Sequence, residues 1–494
     1  MLTEEEKAKR WSSGVGYNRY ITSELNSFRK DAWKDTMLKH FGTKQNLNIL
    51  DVGTGPGFFA CILAEEGHRV TGIDWSEGML VCGRNNAAKL SIKPHFRQMN
   101  INDLQFADES FDAIVTRNVT WTLDYPEKVY AEFKRILKPS GILLIYDANW
   151  HRHYFDEEMM KRVRKREQRY FEKYGKKEVV CGDDTEYFMP LPLSGIYRPD
   201  WDEKVLARLG FDVKIEEDLG RKVYEEWEMD LYGEFPLFEI CAVKKPMDED
   251  TRKVHNYWQK RSASFGFDVS ERKVLEWRNR ISSYLPTRKL KVLDVGTGTG
   301  FIACITAMLG HDVIGVDLCS NMIKKAIENA ESLDLGIDFL CTDAGELPFE
   351  DGSFDVIISR NLLWALAAPE ETLKQWRRLL KPEGMVVYFD GNHYYYLFNE
   401  EDKHNRQLYE EINGSLHGRG DEKDSPMYKE MDDAAVNLPL SKYNRPYEWD
   451  NIVLPKLGYK IVKEDIAHPQ DKLREGIAEG YYTNFAIAAK KTKG

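Results

Sequence analysis

Positive charge is what this sequence is short of. Its 70 lysines and arginines stand against 81 aspartates and glutamates, a formal charge of −11. That balance argues against broad electrostatic binding of nucleic acid. Long apolar runs are missing too. Nothing approaches the roughly 20 residues needed to cross a bilayer, so no membrane partner is expected. The chain opens Met-Leu-Thr-Glu-Glu-Glu-Lys without an N-terminal signal, which makes the cytoplasm the default compartment. The seven cysteines are odd in number and form no Cys-x-x-Cys pair, so neither a disulfide framework nor a redox pair is indicated. Cys61 and Cys304 read as packed thiols. No metal site is expected. The Gly-x-Gly-x-x-Gly fingerprint of dinucleotide-binding turns is absent as well.

What the chain has instead is one stretch written twice. Residues 50–61 read Leu-Asp-Val-Gly-Thr-Gly-Pro-Gly-Phe-Phe-Ala-Cys, and residues 293–304 read Leu-Asp-Val-Gly-Thr-Gly-Thr-Gly-Phe-Ile-Ala-Cys. An apolar run ends in an acid, a glycine-rich turn follows, then a small apolar helix. Gly53, Gly55 and Gly57, with Gly296, Gly298 and Gly300, can take positive φ and let a ligand lie against the backbone. Asp51 and Asp294 stand at the strand's carboxyl edge, where open α/β sheets bind ligands.

The repeat extends far beyond the turn. An offset of 243 carries Asp74 to Asp317, Arg117-Asn118 to Arg360-Asn361, Trp121 to Trp364 and Asp147 to Asp390. Later the offset becomes 247, which carries Arg198-Pro199 to Arg445-Pro446 and Phe238 to Phe485. A unit this long is a duplicated domain, with halves 1–246 and 247–494 joined near a polar, proline-containing stretch. The two halves could pair as an intramolecular pseudo-dimer. Each opens with aromatic, charged helices (Trp11, Tyr17, Tyr20, Phe28 and Trp33; Trp258, Phe265 and Trp277), read either as packing on the sheet or as a flap over a ligand. Strand two then ends in Asp74 or Asp317. A carboxylate about 20 residues past a glycine turn is placed to accept hydrogen bonds from a ribose. Leu-Lys-Pro-Ser-Gly (137–141) and Leu-Lys-Pro-Glu-Gly (380–384) read as turns into strand five.

Together these segments resemble the class I S-adenosylmethionine-dependent methyltransferases, near the ubiquinone/menaquinone small-molecule branch. The carrying residues are Leu-Asp-Val-Gly-Thr-Gly-x-Gly, the strand-two acid, Asp343-Ala-Gly-Glu-Leu-Pro-Phe, Ser353-Phe-Asp-Val-Ile and Leu-Lys-Pro-x-Gly. They cover about 100 residues per half. The resemblance implies an α/β fold: two tandem Rossmann-like domains, each a seven-stranded, mostly parallel sheet with an antiparallel last strand and helical lid insertions at about 151–190 and 394–437. It implies S-adenosylmethionine as cofactor, with S-adenosylhomocysteine as product. Asp51, Asp294 and the glycines would hold its methionine end, and Asp74 and Asp317 its ribose, with Trp75 and Leu318 beside them. Asn100 and Asp343 would face the adenine, while Asn118 and Asn361 would lie near the methionine moiety. A dehydrogenase reading is weaker, since the third glycine comes one residue early and an acid precedes the first.

Candidates for positioning or deprotonating a methyl acceptor follow strands four and five. They are Trp121, Asp147, Asn149, His151 and His153 in one half, and Trp364, Asp390, Asn392, His393 and Tyr394 in the other. Asp and Asn also form turns, which explains several of them as well. The nucleobase amino-methylases' Asn/Asp-Pro-Pro-Tyr segment is missing: that place holds Asn118-Val-Thr-Trp and Asn361-Leu-Leu-Trp. Arg198 and Arg445 could pair a substrate carboxylate or brace the insertion. The run Lys161-Arg-Val-Arg-Lys-Arg is either a solvated helix face or an attractor for an anion. The expected function is methyl transfer to a small molecule by both halves. The alternatives are a half that only binds, or methylation of proteins.

Overall fold

The computed structural model describes residues 14–175, 185–413, 426–477 and 480–492. Trp11 and the insertion segments 176–184 and 414–425 lie outside the described residues. The chain divides into two compact units, Met1–Pro246 and Met247–Gly494. In the first unit the strands are β1 (Asn48–Val52), β2 (Arg69–Asp74), β3 (His95–Gln98), β4 (Phe111–Arg117), β5 (Leu137–Asp147), β6 (Phe211–Glu216) and β7 (Phe238–Lys244). They form one sheet in the order β3-β2-β1-β4-β5-β7-β6. β7 runs antiparallel to both neighbours; the other pairs are parallel. The second unit repeats this with β8 (Lys291–Val295), β9 (Asp312–Asp317), β10 (Asp338–Cys341), β11 (Phe354–Arg360), β12 (Leu380–Gly391), β13 (Tyr459–Ala467) and β14 (Asn484–Lys491). Its order is β10-β9-β8-β11-β12-β14-β13, with β14 reversed. This is the Rossmann-like architecture that the resemblance implied.

Central strands buried on both faces need apolar side chains pointing both ways. β1 supplies Ile49 to one core and Leu50 and Val52 to the other. β2 and β4 flank β1 on opposite sides, so the chain reverses its winding at β1 and opens a crevice beyond the strands' carboxyl ends. The glycine turn sits at that crevice. Cys61 and Cys304 are fully buried in the helices that follow.

The Lys-Pro-x-Gly segments are not free turns. β5 and β12 already begin at Leu137 and Leu380, and the pairing with β4 and β11 slips at that point. The left-handed residues are Ser140 (φ 60°) and Glu383 (φ 63°). Gly141 is needed for space, because a Cβ there would stand 2.8 Å from the Lys138 carbonyl oxygen.

The basic run lies on the helix Glu157–Tyr174, capped by Asp156 through the Met159 N–H. Three of its charges are answered locally: Lys161 by Glu158 at 2.6 Å, and Arg162 and Arg166 by Glu234 at 2.9 and 3.3 Å. The Arg162 and Arg166 pairs tie the helix to the segment before β7, while Arg164 and Lys165 are exposed.

Candidate active site

The turn after β1 is stapled from both sides. Asp51 Oδ2 accepts the Thr54 hydroxyl at 2.5 Å and the Ala60 N–H at 3.0 Å. Asp294 Oδ2 accepts the Thr297 hydroxyl at 2.6 Å. Burial pushes both carboxyls up to about 7. Asp51 and Asp294 therefore shape the turn from inside. In the second unit the Asp294 Oδ1 is buried with no partner among the described residues.

The strand-two acids hold the turn's other side. Asp74 accepts the Gly55 N–H on Oδ2 at 2.9 Å and the Ser76 N–H on Oδ1 at 2.8 Å. Asp317 does the same with the N–H groups of Gly298 and Cys319, both at 2.9 Å. Each oxygen retains a lone pair beyond these bonds. Trp75 is 39% exposed beside Asp74, and Leu318 is half-buried beside Asp317.

The glycines divide by role. All six have positive φ. A Cβ on Gly53 would stand 2.3 Å from Val119 Cγ2, and one on Gly57 2.8 Å from Phe96 Cζ. One on Gly298 would meet nothing within 4 Å, and one on Gly55 only the Tyr17 ring edge at 3.8 Å. Gly53 and Gly57 thus answer to packing, whereas the middle glycine faces open space in the second unit and the Tyr17 ring in the first. Tyr17 belongs to the helix Gly14–Leu25, which Asn18 ties to Asn86 at 2.7 Å, so this helix lies over the turn.

Asn100 and Asp343 form matching local turns. Asn100 Oδ1 accepts the Asn102 N–H at 2.9 Å, and Asp343 Oδ1 accepts the Gly345 N–H at 2.8 Å. Asn118 and Asn361 end β4 and β11 in left-handed conformation, φ 56° and 53°, with exposed side chains at the carboxyl edge. Their carbonyls accept the indole N–H groups of Trp121 and Trp364.

Four acceptor-side expectations are corrected. Asp147 is fully buried and both its oxygens are engaged: Oδ2 takes the Thr120 hydroxyl, the Trp121 N–H and Arg198 Nη1 at 3.0 Å, and Oδ1 the Ala148 N–H. Asp390 is buried likewise, with Arg445 Nη1 at 2.8 Å and the Gly391 N–H at 2.9 Å. Asn149 brackets Arg198, donating to its carbonyl at 2.6 Å and accepting its N–H at 2.9 Å. Asn392 does the same for Arg445. All four side chains are engaged in holding the Arg-Pro turn. Arg198 and Arg445 are 1% exposed and brace the fold rather than meet a substrate carboxylate.

His151 lies flat on Phe188, centroids 3.9 Å apart, and packs against Trp121 at 4.6 Å. His153 is buried, its pKa held down to about 4 by desolvation, so it is a neutral packing residue. His393 sits between Trp364 and Tyr482, its Nε2 3.8 Å from Asp390 Oδ1. Tyr394 is buried against Trp364.

Beside Asn118 opens a cavity of about 380 Å³ that sequence reasoning missed. Its walls come from the first two helices, the ends of β4 and β5, and residues 224–237. A buried polar chain frames it. Arg117 grips Glu24 at 2.8 and 3.1 Å, Arg29 meets Glu24 at 2.7 Å and Glu228 at 3.1 Å, and the Tyr20 hydroxyl donates to Glu228 at 2.6 Å. The aromatic spacing of Tyr224, Trp227 and Tyr232, in a segment where the halves diverge, was the available signal. In the second unit Arg360 lies over Trp277 and Phe301, at 5.2 and 4.9 Å, with no carboxylate in ion-pair distance among the described residues.

Comparison with known proteins finds one family matched twice. Residues 50–145 and 293–388 each match the family described as "Methyltransferase domain". The ubiquinone biosynthesis O-methyltransferase of Roseobacter denitrificans is 37% identical over 112 residues, 23% of this chain and 45% of that protein. The chain thus spans about half the length of such curated relatives. The glycine/sarcosine/dimethylglycine N-methyltransferase of Actinopolyspora halophila is 24% identical over 390 residues, 69% of this chain and 67% of that protein. Among solved structures, phosphoethanolamine N-methyltransferase 2 of Haemonchus contortus, in complex with S-adenosyl-L-methionine, is 14% identical with a TM-score of 0.37, covering 94% of this chain and 99% of that one. The chain thus matches the methyltransferase-domain family twice in tandem, once at each glycine turn.

Proposed function

We propose that both units bind S-adenosylmethionine and that the chain methylates a small molecule. The observation that carries this reading is the cradle built twice: a turn whose middle N–H is held by the strand-two acid, with space for a ligand beside Gly298 and only the Tyr17 ring edge near Gly55. The residues fit the group. Asp74 and Asp317 keep outward lone pairs for ribose hydroxyls, and the unpartnered Asp294 Oδ1 suits an ammonium. When bound, the cofactor supplies an electrophilic sulfonium methyl. The chain's own residues then need chiefly to orient the acceptor, which is worth roughly 7–11 kcal/mol when alignment is good. Asn118, Trp121 and His151 stand at that edge in the first unit, and Asn361, Trp364 and His393 in the second.

Calorimetric titration of the full chain with S-adenosylhomocysteine tests this. Two equivalents are expected, and Asp74→Ala and Asp317→Ala should each weaken one site roughly 10- to 150-fold, the worth of a charge-assisted bond. A single equivalent in the parent protein would reduce one unit to a binding or scaffold module.

A further inference from the structure

The first unit's cavity has its own electrostatic character. Seven of its twelve lining residues are aromatic, so ring faces dominate its walls. Its charged residues neutralise one another: Arg29 and Arg117 are matched by Glu24 and Glu228 in the buried chain. Both guanidiniums also already lie over rings, Arg29 at 5.3 Å from Tyr20 and Arg117 at 5.3 Å from Trp33. Trp150, Tyr224 and Trp227 carry no such cation among the described residues.

The remaining rings make a corner. Trp150 meets Tyr232 edge-on, 5.5 Å apart at 88°, and Tyr232 stands 6.0 Å from Tyr224 at 53°. Parallel walls would sandwich a flat aromatic acceptor. Steeply inclined walls instead present several faces to a rounded guest, which is how aromatic cages take alkylated ammonium groups.

We infer that this cavity takes an amine as methyl acceptor and holds its alkylated ammonium form against Trp150, Tyr224 and Trp227. This rests on the methyltransferase reading above. The amine's lone pair forms the new N–C bond, the C–S bonding pair stays with sulfur, and a primary or secondary amine releases one proton to water. Each added methyl makes the cation bulkier and less hydrated, and so better matched to ring faces. The second unit does not repeat the corner: at the offset of 247, Tyr224 falls on Asp471 and Trp227 on Arg474.

The test uses the full chain saturated with S-adenosylhomocysteine, titrated calorimetrically with tetramethylammonium and with its uncharged analogue tert-butanol. Tetramethylammonium should bind at least about tenfold tighter. Trp227→Leu should remove most of that preference and Trp227→Tyr should keep it. Thermal unfolding verifies that the variant is folded, and Tyr224→Leu replaces it if it is not. Equal binding of the two probes, or a preference unchanged in the leucine variant, overturns the inference. If S-adenosylhomocysteine binds and tetramethylammonium does not, only the amine assignment falls. If neither binds, the cofactor reading falls with it.

Discussion

Replacing Arg198 by methionine should nearly unfold the first unit without touching any ligand. The guanidinium is 1% exposed. It donates to Asp202 at 2.8 and 2.6 Å, to Asp147 at 3.0 Å and to Thr120 at 2.8 Å. Arg198→Met leaves two carboxylates buried without their cation, and breaking such a pair typically destabilises by about 3–5 kcal/mol. A domain of this size is stable by roughly 5–15 kcal/mol, so about a fifth of the margin to the whole of it disappears. The triple change Arg198→Met with Asp147→Asn and Asp202→Asn should recover much of the loss, because the uncompensated charge goes with it. Urea denaturation of the full chain, followed by tryptophan fluorescence, reads both effects. Arg445→Met should act on the second unit in the same way through Asp390 and Asp450. The reasoning fails if Arg198→Met keeps the parent midpoint and weakens only acceptor binding, for then the arginine meets substrate after all.

Two further outcomes are expected. Gly53→Ala must place a Cβ 2.3 Å from Val119 at φ 65°, so overpacking of about 1–3 kcal/mol adds to a left-handed penalty of about 1–2. Gly298→Ala has only the latter, yet should lose homocysteine-cofactor affinity because it fills the open space; similar stability losses in the two variants would contradict this. Asp51, raised from 3.8 to about 7 by burial, stays protonated in the fold where the unfolded chain ionises. Its contribution to stability is therefore full below about pH 4 and is lost as pH rises through 7, by about 4 kcal/mol. Asp51→Asn should flatten that slope in pH-dependent unfolding curves, and an unchanged slope would refute the assignment.

The glycine turn and the acid that staples it were legible because their parts are local. Gly53 to Gly57 lie within five residues, and Asp74 follows at a spacing that one crossover fixes. The acceptor side was not. A carboxylate at a strand's end looks the same in sequence whether it faces solvent or the core. Asp147 turns inward because Arg198, 51 residues later, is folded against it. Asn149 and Asn392 misled for the same reason. The cavity went unseen because Tyr20, Arg117, Trp150 and Trp227 are spread over two hundred residues, and only the sheet's topology gathers them. The repeat also concealed a difference: Arg117 and Arg360 occupy one register position, yet among the described residues only the first has a carboxylate partner.

The polar chain from Arg117 through Glu24 and Arg29 to Glu228 also has an electrostatic consequence. It links the end of β4, the helices Gly14–Leu25 and Arg29–Leu38 and the segment before β7, with Glu24, Arg29 and Glu228 all buried. Glu24 answers both guanidiniums from the helix Gly14–Leu25, so any change that displaces this helix leaves the two arginines with the single carboxylate of Glu228. The cavity's charge balance and the seating of that helix are one and the same constraint.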